Sequence, residues 1–470
     1  MSVAPKDRRD RAIAAAAALF DDGAFFDLLA RRVAIPSTSH EPDKATALDA
    51  YLRLELGPYL ADLGFDCSIH DNPTGSPNPL LVAIRIEDAA LPTVLSYGHG
   101  DTVAGMDERW APGLDPWNLT EKDGRWYGRG CADNKAQHTI NIAALAHALE
   151  ASDGLLGYTV KLLIETGEER GSPGLRAFCE SHGDLLGADL FIASDGPRVS
   201  PDQPTIFLGS RGAMNLRLTC RLRDGAHHSG NWGGVLPNAA ARLAHALASL
   251  TTTGGAIAVA GLRNPPLNDG LRALLQKLAL DRSPGDAQVD PEWGEPAYIP
   301  AERLYGLNSL EVLSIESGGP VDRAANAIPG LAQAVVQLRF TVDTAWQEIA
   351  PALEAHLAAH GFNDVSVEPE AMTPMPATRL DPDHPAVAAT LASIDRTLGR
   401  PATLLPNLGG TIPNDCFSEV LGLPTIWVPH SYANCSQHAP NEHVLPDLMR
   451  EGLMMMAGLW CDLRGYFDRP

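Results

Sequence analysis

Several stretches of this sequence set ionisable side chains at spacings that suit metal chemistry. Tyr97-Gly98-His99-Gly100-Asp101-Thr102-Val103 places a histidine and an aspartate two residues apart at the end of an apolar run. Positions two apart in an extended chain share a face, so the Asp101 carboxylate can reach the His99 ring. A carboxylate that takes one ring N–H fixes the tautomer and leaves the other nitrogen for a metal. Asp133 closes the glycine-punctuated turn Gly128-Arg129-Gly130-Cys131-Ala132-Asp133, ahead of a helical pattern from Asn134 to about Glu150. An aspartate there is commonly a helix N-cap, so its role depends on its neighbours. Glu168 and Glu169 stand side by side after an apolar run, Asp195 follows Ser194, and His430, His438 and His443 come late in the chain. His99, Asp133, Glu169, Asp195 and one later histidine together form a nitrogen and oxygen ligand set, with Asp133 free to bridge two ions. Two divalent cations about 3.5–4 Å apart are a hydrolytic device.

The elements that must carry these groups are legible as short apolar strands alternating with helices. Leu80 to Ile86, Thr93 to Tyr97, Tyr158 to Ile164, Asp189 to Ala193 and Leu423 to Val428 are rich in Leu, Val and Ile and read as buried strands. Helical periodicity runs from Phe25 to Val33, stopped by Ile35-Pro36, and from about Lys44 to Leu63. Four of the strands release an Asp, Glu or His at or just beyond the C-terminal end. That is the edge of an open, largely parallel α/β sheet where ligands and catalytic groups collect.

Between about Arg211 and Pro376 the texture changes to strict alternation. Met214, Leu216, Leu218, Cys220 and Leu222 fall on one face of Met214 to Arg223, and Ala332 to Val342 repeats the pattern with Gln333, Gln337, Arg339 and Thr341 on the polar side. One buried and one wet face predict an antiparallel sheet covered on one side, with helices Asn238 to Leu250 and Ala345 to His360 as the cover. The expected organisation is a discontinuous α/β catalytic domain, 1–210 and 376–470, with an inserted α+β lid domain, 211–375. Asp281 to Pro300, rich in proline, is expected to be an irregular loop.

With 470 residues and 45% hydrophobic content the chain can bury a core in each of two domains. A net charge of −22 argues against nucleic acid or an anionic membrane as a partner. No apolar run reaches the roughly 18 residues of a membrane helix. The N-terminal basic residues before Ala12 to Phe20 imitate a signal peptide, but Asp7, Asp10, Asp21 and Asp22 interrupt the pattern, which predicts a surface helix. Seven cysteines without CxxC spacing point to a reducing, cytoplasmic setting.

The motif series resembles a known family. Gly98-His99-x-Asp101-x-Val103, Gly128-Arg129-Gly130-x-x-Asp133-x-Lys135, Glu168-Glu169-x-Gly171-Ser172, Ser194-Asp195 and His438-x-x-Asn441-Glu442 look like the ordered motifs of the co-catalytic zinc metallopeptidases. That family includes carnosine dipeptidases, glutamate carboxypeptidase, succinyl-diaminopimelate desuccinylase and aminoacylases. The resemblance implies that His99 and Asp195 bind one ion, Glu169 and His438 the other, and that Asp133 bridges them. It makes Asp101 the residue that orients His99 and Glu168 the general base. Only the resemblance selects His438, since His430 at its strand end is an equal candidate from the residues alone. His138, His147, His227 and His443 read as surface histidines or supports of ligands.

In the inserted segment, Ala226-His227-His228-Ser229-Gly230 resembles the branch of the carnosine dipeptidases. There the histidine, here His228, reaches from the partner subunit to the oxyanion, which implies a homodimer through the lid. Asn326, Arg339, Gly410 and Thr411 look like the groups that hold the oxyanion and the substrate carboxylate, a task suited to a planar guanidinium. The expected protein is a dipeptidase or exopeptidase acting beside a free carboxylate. It would use two divalent metal ions, zinc by default with manganese or cobalt also suited to the donors. An N-acyl-amino-acid amidohydrolase with the same site is the alternative, and a non-catalytic metal-binding relative a more distant one.

Overall fold

A computed structural model describes residues 5–278, 280, 288–370 and 375–468. The expected loop from Asp281 lies outside the described residues over 281–287, and from residue 288 to the helix Pro300–Gly306 it runs as turns and irregular chain.

Eight strands form the larger sheet, in the order Asp66–His70, Leu80–Arg85, Thr159–Glu165, Thr93–His99, Leu190–Ala193, Thr425–Trp427, Thr205–Phe207, Thr403–Leu405. Its centre, Thr159–Glu165 through Thr425–Trp427, is parallel. The edges are not, so the sheet is mixed rather than largely parallel: Leu80–Arg85 runs antiparallel to both of its neighbours, and Thr205–Phe207 antiparallel to Thr425–Trp427. A short loop between Asp66–His70 and Leu80–Arg85 permits only the antiparallel pairing, because a parallel one needs a long crossover.

Alternate strand residues feed two cores. Val94, Val160, Leu162, Ile164, Ile192 and Ile426 face the helices Pro5–Asp21, Lys135–Ala151, Pro385–Leu398 and Pro446–Phe467. Leu95, Tyr97, Leu163, Phe191 and Trp427 face the other way, against Leu175–Ser181 and the turn Cys416–Val420. The N-terminal helix lies along the C-terminal one, with Ala12 and Ala16 buried and Arg9 paired to Asp462 at 2.9 Å. No helix among the described residues is long and apolar enough to cross a membrane, and all seven cysteines are free.

The alternating segments build a second, four-stranded antiparallel sheet in the order Ser309–Ser317, Ala327–Phe340, Gly212–His228, Val365–Pro369. Met214, Leu216, Leu218 and Cys220 pack beneath the helices Ala239–Leu250 and Ile349–Ala359, as the alternation predicts. The helices Asp269–Leu275 and Pro300–Gly306 behave differently. Their Leu271, Leu275, Ala301 and Tyr305 join the core of the larger sheet, so the segment 211–375 packs on both layers.

Candidate functional site

Strand ends deliver the cluster. His99 closes Thr93–His99, the turn Glu168–Arg170 follows Thr159–Glu165, and Asp195 lies just past Leu190–Ala193. Asp133 is not an N-cap: the helix spans Lys135–Ala151 with Asn134 before it, which frees the Asp133 carboxylate to face two histidines. His99 Nε2 lies 3.0 Å from Asp133 Oδ1 and 3.7 Å from Asp195 Oδ2. His438 Nε2 lies 3.0 Å from Asp133 Oδ2 and 2.9 Å from Glu169 Oε2. Two three-residue groups result, His99–Asp133–Asp195 and Asp133–Glu169–His438, each with its donor atoms within 4.8 Å of one another. Asp133 belongs to both, one oxygen toward each.

Of the late histidines it is His438, not His430, that reaches this cluster. His430 is fully buried, with neither ring nitrogen hydrogen-bonded among the described residues. His438 comes back to Asp133 through left-handed backbone at Ser436, His438 and Asn441 (φ 57°, 58° and 64°), a conformation that costs a non-glycine residue about 1–2 kcal/mol. Such strain is tolerated where the surroundings over-determine it.

Asp101 touches more than the His99 ring. Its carboxylate lies 3.4 Å from His99 Nδ1, while its own carbonyl oxygen is nearer, at 3.2 Å. The two carboxylate oxygens accept the backbone N–H groups of Glu168 and Glu169, each at 3.2 Å. Asp101 thereby ties the His99 strand to the turn that carries both glutamates.

The electrostatics are those of crowded carboxylates out of water. Burial opposes the charge on His99, but Asp101, Asp133 and Glu168 outweigh it and hold the ring well above its ordinary pKa. Burial likewise opposes ionised Asp133, and the hydrogen bonds from His438 and His99 outweigh it and hold this carboxyl well below the usual range. Burial raises Glu168, Glu169 and Asp195, with like charges adding to it and His99 opposing. The raised His99 and the like-charge contributions at Glu168, Glu169 and Asp195 report crowded carboxylates, whose charge a cation neutralises.

A cavity of about 590 Å³ opens over the cluster. Asp133, Glu168, Glu169, Asp195 and His438 line it together with Arg339, Gly410 and Thr411. Arg339 is half-buried and donates to Gln337 at 3.0 Å and Thr411 at 2.5 Å, with no carboxylate partner among the described residues. His228 and Asn326 do not line this cavity. They lie beside each other, with Ser229 N–H donating to the Asn326 carbonyl at 2.9 Å, and both are exposed.

Several supporting residues escape a reading of the sequence. Glu442, buried, accepts from Gly130, Ala132 and Asp133 N–H groups and from Arg129, and so clamps the Asp133 turn to the His438 loop. It stands in the His438-x-x-Asn441-Glu442 motif, which was the available signal. Gln437 donates to Asp133 Oδ2. Arg211, buried, donates to the Gly409 carbonyl at 2.9 Å and shapes the Gly409–Thr411 loop. No spacing marks either of these two.

A sequence profile of peptidase family M20/M25/M40 matches residues 95–462. The chain belongs to this family. This M20 peptidase is a metal-dependent enzyme that hydrolyses amide bonds. It is 29% identical over 361 residues to the cysteinylglycine-S-conjugate dipeptidase of Corynebacterium striatum, covering 75% of this chain and 76% of that one. It is 26% identical over 465 residues to the Beta-Ala-His dipeptidase of Mus musculus, covering 93% and 92%. The crystal structure of human carnosine dipeptidase 1 superposes with a TM-score of 0.78 at 24% identity, over 99% of this chain and 100% of that one, so the M20 peptidase shares its fold.

Proposed function

We propose that this M20 peptidase is a dipeptidase that cleaves the amide bond next to a free carboxylate in a small substrate. The observation that carries the reading is Asp133, one oxygen in each of two ligand groups, lining the same cavity as an Arg339 that has no carboxylate partner among the described residues. The donors fit two divalent cations: each group is nitrogen and oxygen, converges on one point, and has a charge excess that a cation offsets. His99, Asp133 and Asp195 would hold one, and Asp133, Glu169 and His438 the other, with zinc the first choice and manganese or cobalt suited to the same donors. When bound, the pair supplies Lewis acidity to the scissile carbonyl and lowers the pKa of a water towards about 7.

The chain's own residues do the rest. Glu168, whose Oε2 lies 4.0 Å from His99 Nε2, takes a proton from the attacking water and passes it to the departing amine. A carboxyl held high by burial is suited to carry that proton. Arg339, with Thr411 and the Gly410 backbone, holds the substrate carboxylate. His228 and Asn326 stabilise the oxyanion from the partner subunit, a reading supported by their exposure and their absence from the lining of their own chain's cavity. The exposed edge strand Ser309–Ser317, with Val312, Leu313 and Ile315 uncovered, offers a surface for that second copy. In this reading 211–375 is a lid and dimerisation domain on a catalytic domain of 1–210 and 376–470, and its closure excludes water. Free cysteines suit a cytoplasmic setting.

The test is Glu168→Gln with metal content measured alongside turnover of dipeptides and N-acyl amino acids. The expected result is dipeptide cleavage by the wild type, lost about 10²–10⁴-fold in the variant with both cations retained. Turnover of N-acyl amino acids alone overturns the dipeptidase reading in favour of an amidohydrolase, and near wild-type activity in Glu168→Gln removes Glu168 as the base.

A further inference from the structure

Beneath the His99–Asp133–Asp195 group runs a buried hydrogen-bond relay that the chemistry above does not use. Asn134 Nδ2 donates to the Ser194 carbonyl at 2.8 Å, so its Oδ1 is the atom that meets His138 Nδ1 at 3.0 Å. A carbonyl oxygen only accepts, which puts the His138 proton on Nδ1 and leaves Nε2 to accept from the Tyr51 hydroxyl at 2.7 Å. Tyr51, Asn134, His138 and Ser194 are all buried. The relay therefore has one direction, Tyr51 to His138 to Asn134 to Ser194, and each link is satisfied.

Every member touches backbone beside a residue of the group. Asn134 follows Asp133, and Ser194 precedes Asp195. Gly98 and Gly100 flank His99, and the space a side chain would need there is already filled: a Cβ at Gly98 would lie 2.5 Å from His138 Cβ, and one at Gly100 would lie 2.4 Å from the Tyr51 ring. Three separate segments that each carry a ligand, the His99 strand, the start of the Lys135–Ala151 helix and the Asp195 strand, thus meet on one imidazole and its neighbours. The other group is braced by different means, since Asp101 holds the N–H of Glu169 and Glu442 holds that of Asp133.

We propose that His138 is a positioning residue that sets His99 and Asp195 against an Asp133 held independently by Glu442, and that it acts on this ion site and not on the one built from Glu169 and His438. The inference rests on the two-metal reading. Polar groups that orient ligands are typically worth about 10–100-fold in metal affinity.

The test titrates metal-free protein with Zn²⁺ against a chromophoric chelator, for the wild type, His138→Ala, His138→Asn and Tyr51→Phe. The wild type is expected to bind two ions. His138→Ala is expected to bind one as the wild type does and the other about 10–100-fold more weakly. His138→Asn, which keeps a donor towards Asn134 at the place of Nδ1, is expected to recover most of that loss. Tyr51→Phe keeps the ring against Gly100 and is expected to weaken the same single site by less. Cobalt substitution reads which site is affected, because only one of two overlapping visible spectra should change. Equal weakening of both sites, or no weakening in any variant, overturns the role of His138. Should His138→Ala fail to fold, the other two variants decide by the same criterion. A wild type that binds fewer than two ions instead overturns the two-metal reading itself.

Discussion

Glu442→Gln removes one negative charge from a point where four donors converge. Oε2 accepts from Arg129 Nη1 at 2.7 Å and Gly130 N–H at 3.0 Å, and Oε1 accepts from Ala132 N–H at 2.8 Å and Asp133 N–H at 3.1 Å. Glu442 and Arg129 are each 1% exposed, so water does not compensate a lost bond. Glutamine has a single acceptor oxygen, and its amide nitrogen must confront two of the donors. Removing one partner of a buried ion pair costs about 3–5 kcal/mol, and each stranded buried N–H adds about 1–3 kcal/mol before relaxation. Glutamine keeps about half of the bonds, which places the loss near the lower end, about 3 kcal/mol. At a urea dependence of about 3 kcal/mol per molar, the unfolding midpoint falls by about 1 M. The turn that moves carries Asp133, so both cations should also bind about 10–100-fold more weakly. Arg129→Met should cost less in the Glu442→Gln background than in the wild type, because the unpaired charge is then gone. A midpoint within about 0.2 M of wild type, less than the loss of a single buried hydrogen bond, together with unchanged Zn²⁺ affinity would refute this account of the loop.

Arg339→Lys should raise KM for substrates with a free carboxylate by about 10–100-fold, the worth of a charge-assisted bond, while leaving metal content and turnover of C-terminally amidated analogues unchanged. If His228 serves the partner's site, mixing Glu168→Gln and His228→Ala chains should restore about one quarter of wild-type activity, since only one site of each mixed dimer is complete. Activity no higher than that of the parents after subunit exchange counts against sharing. His430 bears on acid stability. Burial, and then the positive charge of Arg198, holds its pKa well below the usual value, so it stays neutral in the fold. The unfolded chain binds a proton at this residue below about pH 6.5. The unfolded state thus holds more protons, and stability should fall with decreasing pH from about 6.5, by up to about 1.4 kcal/mol per unit, until the folded pKa is reached. His430→Leu should flatten that slope in urea midpoints taken between pH 7 and 5, and an unchanged slope means that His430 is not its source.

What the sequence by itself determined was local. Alternation of apolar residues along Met214 to Cys220 follows from the two-residue repeat of a strand, and it produced a sheet with one helix-covered face. Apolar runs ending in His99, Glu165 and Ala193 became neighbouring parallel strands, and their ends brought His99, Glu168, Glu169 and Asp195 to one sheet edge. Tertiary structure decided what depends on distant partners. The choice between His430 and His438 turned on left-handed backbone at Ser436, His438 and Asn441, which no spacing encodes. The mixed edges of the sheet came from pairing partners that periodicity does not name. His138 read as a surface or supporting histidine, and proved buried between Tyr51 and Asn134. Glu442 meets the Asp133 turn across some three hundred residues of chain. A periodic pattern reports the face a residue turns to the core, because neighbours a few positions away set it. Whether a carboxylate ends 3 Å from an imidazole is set by the packing of whole layers, and only the folded chain holds that information.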